Sequence, residues 1–180
     1  KFMIHSGIEI SSMADIPSSG SGLGSSSSFT VGLLNSINAY VNNYIGKIDL
    51  AELACHIEID LCKEPIGKQD QYAAAFGGMN FINFNQDGTV VVNPIICPSK
   101  TLTEIEESIV IFYTGKVRSA SKILKTQSEG FSSPINIRIM DEMVDSAYDL
   151  KKIIESGSLD SFGEILDKNW HLKKQLAAGI

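Results

Sequence analysis

Much is scarce in this chain, and each scarcity removes a class of function. Cysteine is rare: Cys55, Cys62 and Cys97 cannot all pair, and no two stand at Cys-x-x-Cys spacing. That excludes a disulfide framework and a thiolate metal cluster, and it fits a reducing, cytoplasmic setting with all three as small core hydrophobes. His56 has no second histidine nearby to make a ligand pair. No apolar run approaches the length of a bilayer-spanning helix, so no membrane is expected. Basic charge is short, with 15 Lys and Arg against 21 Asp and Glu, for a net charge of −6. A nucleic-acid partner normally wants a basic face, so none is expected. No signal peptide is visible at the start, and Lys1 and the closing Ala-Ala-Gly-Ile read as a chain cut at both ends. There are no internal repeats. What remains is a chain of 180 residues, 43% apolar, which suits a soluble globular protein of one large or two small domains.

The stretch Pro17–Ser28 stands out: Pro-Ser-Ser-Gly-Ser-Gly-Leu-Gly-Ser-Ser-Ser-Ser. Its three glycines permit left-handed turns and close ligand approach. An apolar-periodic run follows at once, so the loop should open a helix. A helix start offers unpaired N–H groups and the positive end of the dipole, which suit a phosphate. Serine hydroxyls add hydrogen bonds or a magnesium ligand. The plain alternative is a flexible Gly/Ser linker. No lysine follows the glycines, so this is not a P-loop, and Gly20, Gly22 and Gly24 lack the spacing of the dinucleotide fingerprint.

Around it the pattern reads as follows. Phe2–Ala14 alternates like half-buried strands. A helix should run from Ser26 to Tyr44, burying Phe29, Leu33, Ile37, Tyr40, Val41 and Tyr44. Asp49, with Glu52 three residues on, should cap a second helix whose stripe is Leu50, Leu53, Ala54, Ile57 and Leu61. On spacing alone Glu58 lies beside that stripe as a solvated edge residue. Pro65 and Gly67 break the helix, and Asp70 falls at or just before a short helix, Gln71–Phe76. Asp70 is either an N-cap or a carboxylate held beside Lys68 to take a proton from, or orient, a substrate hydroxyl. Asn80–Asn85 and Thr89–Pro94 flank Asp87-Gly88 as a hairpin. A domain change is expected near Pro98–Thr103, and Ser108–Tyr113 reads as a central strand. The basic turn Thr114–Ser121 is a candidate anion site or a solvated cap. Ser133-Pro134 should start a helix to Ser156, with Ile139, Met143, Ala147, Leu150 and Ile154 inward. Ser158 should cap a last helix carrying Leu159, Phe162, Leu166 and Trp170.

Two segments carry a resemblance. Gly22-Leu23-Gly24-Ser25-Ser26 matches the core of the second motif of the GHMP kinases, and Gly67-Lys68-Gln69-Asp70-Gln71 is similar to their Gly-x-x-Asp-Gln segment. Glu64–Gly78 resembles the sugar branch, most of all the heptose 7-phosphate kinases, as does Tyr113-Thr114-Gly115 with Arg118, Ala120 and Ser121, which is shared with the fucose kinases. The resemblance implies a two-layer α+β fold truncated at both ends, without the family's first and third motifs. The N-terminal domain would span residues 1–98, with mixed sheet and helices; part of a C-terminal α+β domain would span 99–180. It implies an ATP-dependent sugar kinase that uses Mg2+ and passes the γ-phosphoryl group to the anomeric O1 of D-glycero-D-manno-heptose 7-phosphate. Its partners would be the sugar phosphate and ATP, with homo-oligomerisation left open.

The implied roles fall residue by residue. Pro17, Ser19, Gly20, Ser21, Gly22, Leu23, Gly24, Ser25, Ser26 and Ser27 would hold the nucleotide. Ser26 and Glu58 would ligate magnesium, Glu58 standing seven residues before Pro65 as the family's glutamate does. Asp70 would be catalytic, with Lys68 beside it. Asp70, Gln71, Gly115 and Arg118 would meet the substrate, Arg118 ranking ahead of Lys116 and Lys68 for the sugar's phosphate because its planar fork suits one. Another acceptor, such as fucose, galactose or a mevalonate-like alcohol, and a non-catalytic binding module are the alternatives.

Overall fold

The computed structural model describes residues 2, 4, 7–14, 22–112 and 133–176. These residues fall into two compact units, one ending at Gly78 and the other beginning at Met79. The architecture is α+β, as expected.

In the first unit, α1 (Ser25–Tyr40) starts one residue after the left-handed Gly24. Its buried face is Ser27, Val31, Leu34 and Asn38, not the expected aromatic stripe. Phe29, Tyr40 and Tyr44 are exposed. The apolar pattern misplaced the face because it could not count Asn38 as an inward residue. The Asn38 amide donates to the Leu34 carbonyl at 2.8 Å and accepts from Asn43 Nδ2 at 2.6 Å. With both ends of its amide satisfied, it is buried at little cost.

The second helix, α2 (Lys47–Cys55), begins two residues before the expected cap, because the Gly46 carbonyl already accepts from the Leu50 N–H at 2.9 Å. Asp49 therefore lies in the first turn, where it meets the positive end of the dipole. Val31, Leu34, Leu50 and Ala54 form the core, with Leu53, Ile57 and Ala75 against it. Fully burying one leucine is worth about 1.5–3 kcal/mol, so Leu34 and Leu50 are the main ties between the two helices.

A π-helical turn, His56–Leu61, continues α2. Its signature is the Cys62 N–H bonding to the Ile57 carbonyl five residues back, at 2.9 Å. The wider turn takes the chain off the α register. Leu61 and Cys62, both expected inward, are exposed, while Cys55 is buried and Cys97 half-buried. Burial pushes the Cys55 thiol up to about 11, against the opposing charge of Lys68, so it packs as an inert hydrophobe. The helix α3 (Gln69–Phe76) packs against both α1 and α2.

The alternating segment near the N-terminus is not a strand in its described part: residues 7–14 form no regular secondary structure and are exposed. Alternation marks a strand only where another strand supplies the ladder.

In the second unit, β1 (Asn80–Phe84) and β2 (Val90–Pro94) pair antiparallel, with Ile82 opposite Val92. The hairpin is where the sequence puts it. Its turn is knitted by Asp87, whose Oδ1 accepts from the Thr89 hydroxyl at 2.6 Å and from its N–H at 2.9 Å. Those bonds, the hydroxyl's first, hold the Asp87 carboxyl below its ordinary range. The Phe81 ring tilts against Tyr148 at 4.9 Å, and Lys151 Nζ lies 5.1 Å from the centre of the same ring.

A helix the sequence reading did not anticipate follows, α4 (Ser99–Ser108), burying Thr101 and Ile105. It occupies the expected interdomain connection and takes in Ser108. The expected central strand after it is absent: Ile109–Phe112 forms no strand and is exposed, with no partner strand among the described residues. Residues 113–132, including the expected anion-site turn and its helix, lie outside the described residues.

The helix α5 (Pro134–Ser156) has Ser133 as N-cap and Pro134 at its start, as expected. Ile139 and Ile154 are buried, but Ser146 rather than Ala147 completes the stripe. It packs on α6 (Phe162–Leu176), where Leu172 is the buried residue and Leu166 and Trp170 remain largely exposed.

Gly157 ends α5 in the left-handed region at φ 75°. A Cβ there would sit 3.1 Å from the Thr101 hydroxyl and 3.4 Å from Pro98 Cγ. Gly157→Ala is therefore expected to cost about 1–2 kcal/mol of stability from backbone conformation alone, read as a lower midpoint in urea unfolding. An unchanged midpoint would contradict that backbone reading.

Candidate active site

The site is built where α1 and α3 begin. Gly22 and Gly24 both adopt positive φ, 71° and 67°. That double left-handed turn delivers the chain into α1, whose first turn carries no acidic residue. The helix dipole there is open to an anion. Leu23 is exposed, Gly24 and Ser25 are half-buried, Ser26 is exposed and Ser27 is buried. Pro17, Ser19, Gly20 and Ser21 lie outside the described residues, as do Gly115, Lys116 and Arg118.

Asp70 stands directly against this turn. A Cβ placed on Gly24 would lie 3.4 Å from both Cγ and Oδ2 of Asp70. The residue sits in the first turn of α3, where Lys68, not Asp70, occupies the N-cap position. Of its two readings, N-cap and functional carboxylate, the first is therefore not realised. Asp70 and Lys68 are both exposed, so the carboxylate is held beside the glycine turn and open to solvent.

Behind them lies a buried carboxylate. Glu58 is only 4% exposed, contrary to its placement by spacing as a solvated edge residue. Burying an unpaired carboxylate would be prohibitive. Two short hydrogen bonds compensate: Ser26 Oγ donates to Oε1 at 2.5 Å, and Gln71 Nε2 donates to Oε2 at 2.6 Å. The Ser26 length is that of a hydroxyl donating to a carboxylate. Three elements thus meet on one side chain: α1 through Ser26, α3 through Gln71, and the π-helical turn through Glu58 itself.

Gln71, expected at the substrate, is fully buried with its amide on Glu58. No local pattern in the sequence pairs these two, which stand 13 residues apart. His56 is an exposed ring 2.8 Å from Asp60, four residues on.

The donors suit magnesium. The hard cation takes oxygen ligands and commonly binds through one or two carboxylates plus substrate phosphates. Glu58 and Ser26 supply one carboxylate and one hydroxyl in hydrogen-bonding contact. Among the described residues there is no cluster of three or more His, Cys, Asp or Glu able to hold a metal alone. No helix among the described residues is long and apolar enough to cross a membrane.

Residues 1–78 match the GHMP kinases N terminal domain. The chain is 32% identical over 161 residues to D-glycero-alpha-D-manno-heptose 7-phosphate kinase of Campylobacter jejuni, covering 89% of this chain and 47% of that protein. It is 29% identical over 179 residues to the L-fucokinase/L-fucose-1-P guanylyltransferase of Bacteroides fragilis, covering 96% of this chain and 18% of that one. Among solved structures, a D-glycero-D-manno-heptose 1-phosphate kinase from Bacteroides thetaiotaomicron superposes with a TM-score of 0.73 at 34% identity, over 89% of this chain and 46% of that one. The chain spans about half the length of the heptose kinases it matches and less than a fifth of the fucokinase.

Proposed function

We propose, for a chain that belongs to the GHMP kinase family through the N-terminal domain in residues 1–78, that it serves ATP-dependent phosphorylation of a sugar. The acceptor we favour is the anomeric O1 hydroxyl of D-glycero-D-manno-heptose 7-phosphate. One observation carries the reading: the Asp70 carboxylate lies against the left-handed Gly24 at the mouth of α1. An acceptor hydroxyl and a nucleotide phosphate brought to that mouth would share it with the carboxylate.

Phosphoryl transfer asks the protein for positioning and charge stabilisation more than for covalent chemistry. The Gly22–Gly24 turn and the first N–H groups of α1 bind phosphate oxygens. Asp70 accepts the hydrogen bond of the acceptor hydroxyl, orients it, and takes its proton as the hydroxyl oxygen bonds to the γ-phosphorus and the bond from that phosphorus to the β-phosphate oxygen breaks, releasing ADP. Lys68, two residues before Asp70 and exposed, adds positive charge beside the transferred group. Ser26 and Glu58 would hold Mg2+, which supplies neutralisation of the phosphate charge. On the family resemblance, Pro17, Ser19, Gly20 and Ser21 would also serve the nucleotide, and Gly115 and Arg118 the sugar. The domain organisation we assume is a nucleotide-holding part through residue 98 and a second part beyond it.

The heptose kinase relatives support the phosphorylated acceptor, and the fucokinase relative supports an unphosphorylated one. A coupled ADP-release assay decides, run on the protein as its organism makes it with heptose 7-phosphate, fucose, galactose and mevalonate. Turnover is expected to be highest with heptose 7-phosphate. Higher turnover with an unphosphorylated sugar would move the acceptor. Nucleotide binding without ADP release from any acceptor would mean a non-catalytic module.

A further inference from the structure

Gln71 has no role in the chemistry above, yet its environment is unusual. Its side chain is 0% exposed and delivers Nε2 to Glu58 Oε2 at 2.6 Å. Its other end, Oε1, is buried without a hydrogen-bond partner. A buried orphan acceptor costs about 1–3 kcal/mol. Turning the amide over would not relieve it, because Oε1 would then face a carboxylate that offers only acceptors. The amide is thus locked in one orientation by Glu58.

The surroundings add to the lock. Tyr72, the next residue, is 2% exposed and anchors α3. Successive helix residues point about 100° apart, so Asp70 reaches the glycine turn while Gln71 turns inward from the same helical turn. Glu58 sits on a π-helical turn, a geometry that often marks functional positions. Its two oxygens are held from opposite elements, Oε2 by α3 and Oε1 by α1.

We propose that Gln71 is a positioning residue for Glu58: it pins Oε2 so that Oε1 stays turned to the Ser26 hydroxyl and to a divalent cation bound there. This rests on the proposed function, since it takes Glu58 and Ser26 as the cation's ligands. Without the amide, the carboxylate can rotate about its last torsion, and the ligand oxygen loses its fixed direction. A neighbour of this kind, one step removed from a metal, typically governs affinity by 10–100-fold.

The test is a titration of Mn2+ in the presence of ATP, followed by the electron paramagnetic resonance of free Mn2+, on the wild type, Gln71→Met and Glu58→Gln. Gln71→Met keeps the volume and removes the donor. It should weaken Mn2+ binding by about 10–100-fold with the affinity for metal-free ATP unchanged, while the melting temperature falls because a buried carboxylate loses a hydrogen-bond donor. A merely structural role would move the melting temperature and leave Mn2+ affinity alone, and that result overturns the proposal. If Gln71→Met does not fold, Gln71→Asn keeps the amide but withdraws it by one methylene, and the same weakening is expected. Glu58→Gln separates the two failures. If it weakens Mn2+ binding and the Gln71 variants do not, the positioning role is wrong while the cation site stands. If Glu58→Gln also leaves Mn2+ binding intact, the cation site itself is wrong.

Discussion

Replacing Asp70 with asparagine is expected to lower kcat by about 10²–10⁴-fold, the range for removing a general base, while ATP still binds. The substitution is nearly isosteric and the side chain is exposed, so no core packing is lost. It sits in the first turn of α3, where losing one negative charge costs about 0.3–1 kcal/mol of stability. A fall of several decades in turnover cannot come from so small a structural change. It would come from losing a group able to orient and deprotonate a hydroxyl. The measurement is ADP release against acceptor concentration, with ATP affinity measured separately by calorimetry. Near-normal turnover in the asparagine variant removes Asp70 from the role of base. Loss of ATP binding instead would make it a nucleotide-site residue.

The second large effect is expected at Gly24. Its φ of 67° is a conformation that costs a residue with a Cβ about 1–2 kcal/mol, and a Cβ there would already touch Asp70 Cγ and Oδ2 at 3.4 Å. Valine adds two further carbons and is stiff at its first torsion. Gly24→Val should therefore push the carboxylate away or pull the turn out of its left-handed path. Either way the phosphate cradle is spoiled. Since about 1.4 kcal/mol corresponds to tenfold in affinity, the Kd for ATP should rise at least about tenfold. Gly24→Ala should give a smaller rise in the same direction. A valine variant that binds ATP like the wild type would remove this turn from the nucleotide site.

Legibility from the sequence followed the range of the interactions. The hairpin was readable because Asp87 and Gly88 sit between its strands, and its turn bonds stay within Asn85–Thr89. The start and end of α5 were readable because Ser133, Pro134 and Gly157 act on the backbone at their own positions. Buried faces were less so. Asn38 is inward because Leu34 and Asn43 satisfy its amide, which hydropathy does not register. The expected strands at residues 8–13 and 108–113 show the same limit from the other side. An apolar alternation or run is only a request for a partner strand, and among the described residues none answers it.

At the site, the glycine–serine turn and Asp70 were legible as types: glycines for positive φ, serines for hydroxyls, a carboxylate at a helix start. Their chemistry resides in backbone freedom and side-chain identity, both written locally. Glu58 by spacing alone was a surface residue, and only the likeness of its distance from Pro65 to a family pattern suggested more. That it is buried, that Gln71 turns away from solvent to hold it, and that Asp70 reaches Gly24 were decided by the packing of α3 against α1 and α2. These are encounters between residues 13 to 46 positions apart. No local propensity encodes which atom of one helix meets which atom of another, because that depends on the crossing of helices fixed by the shared core of Val31, Leu34, Leu50 and Ala54.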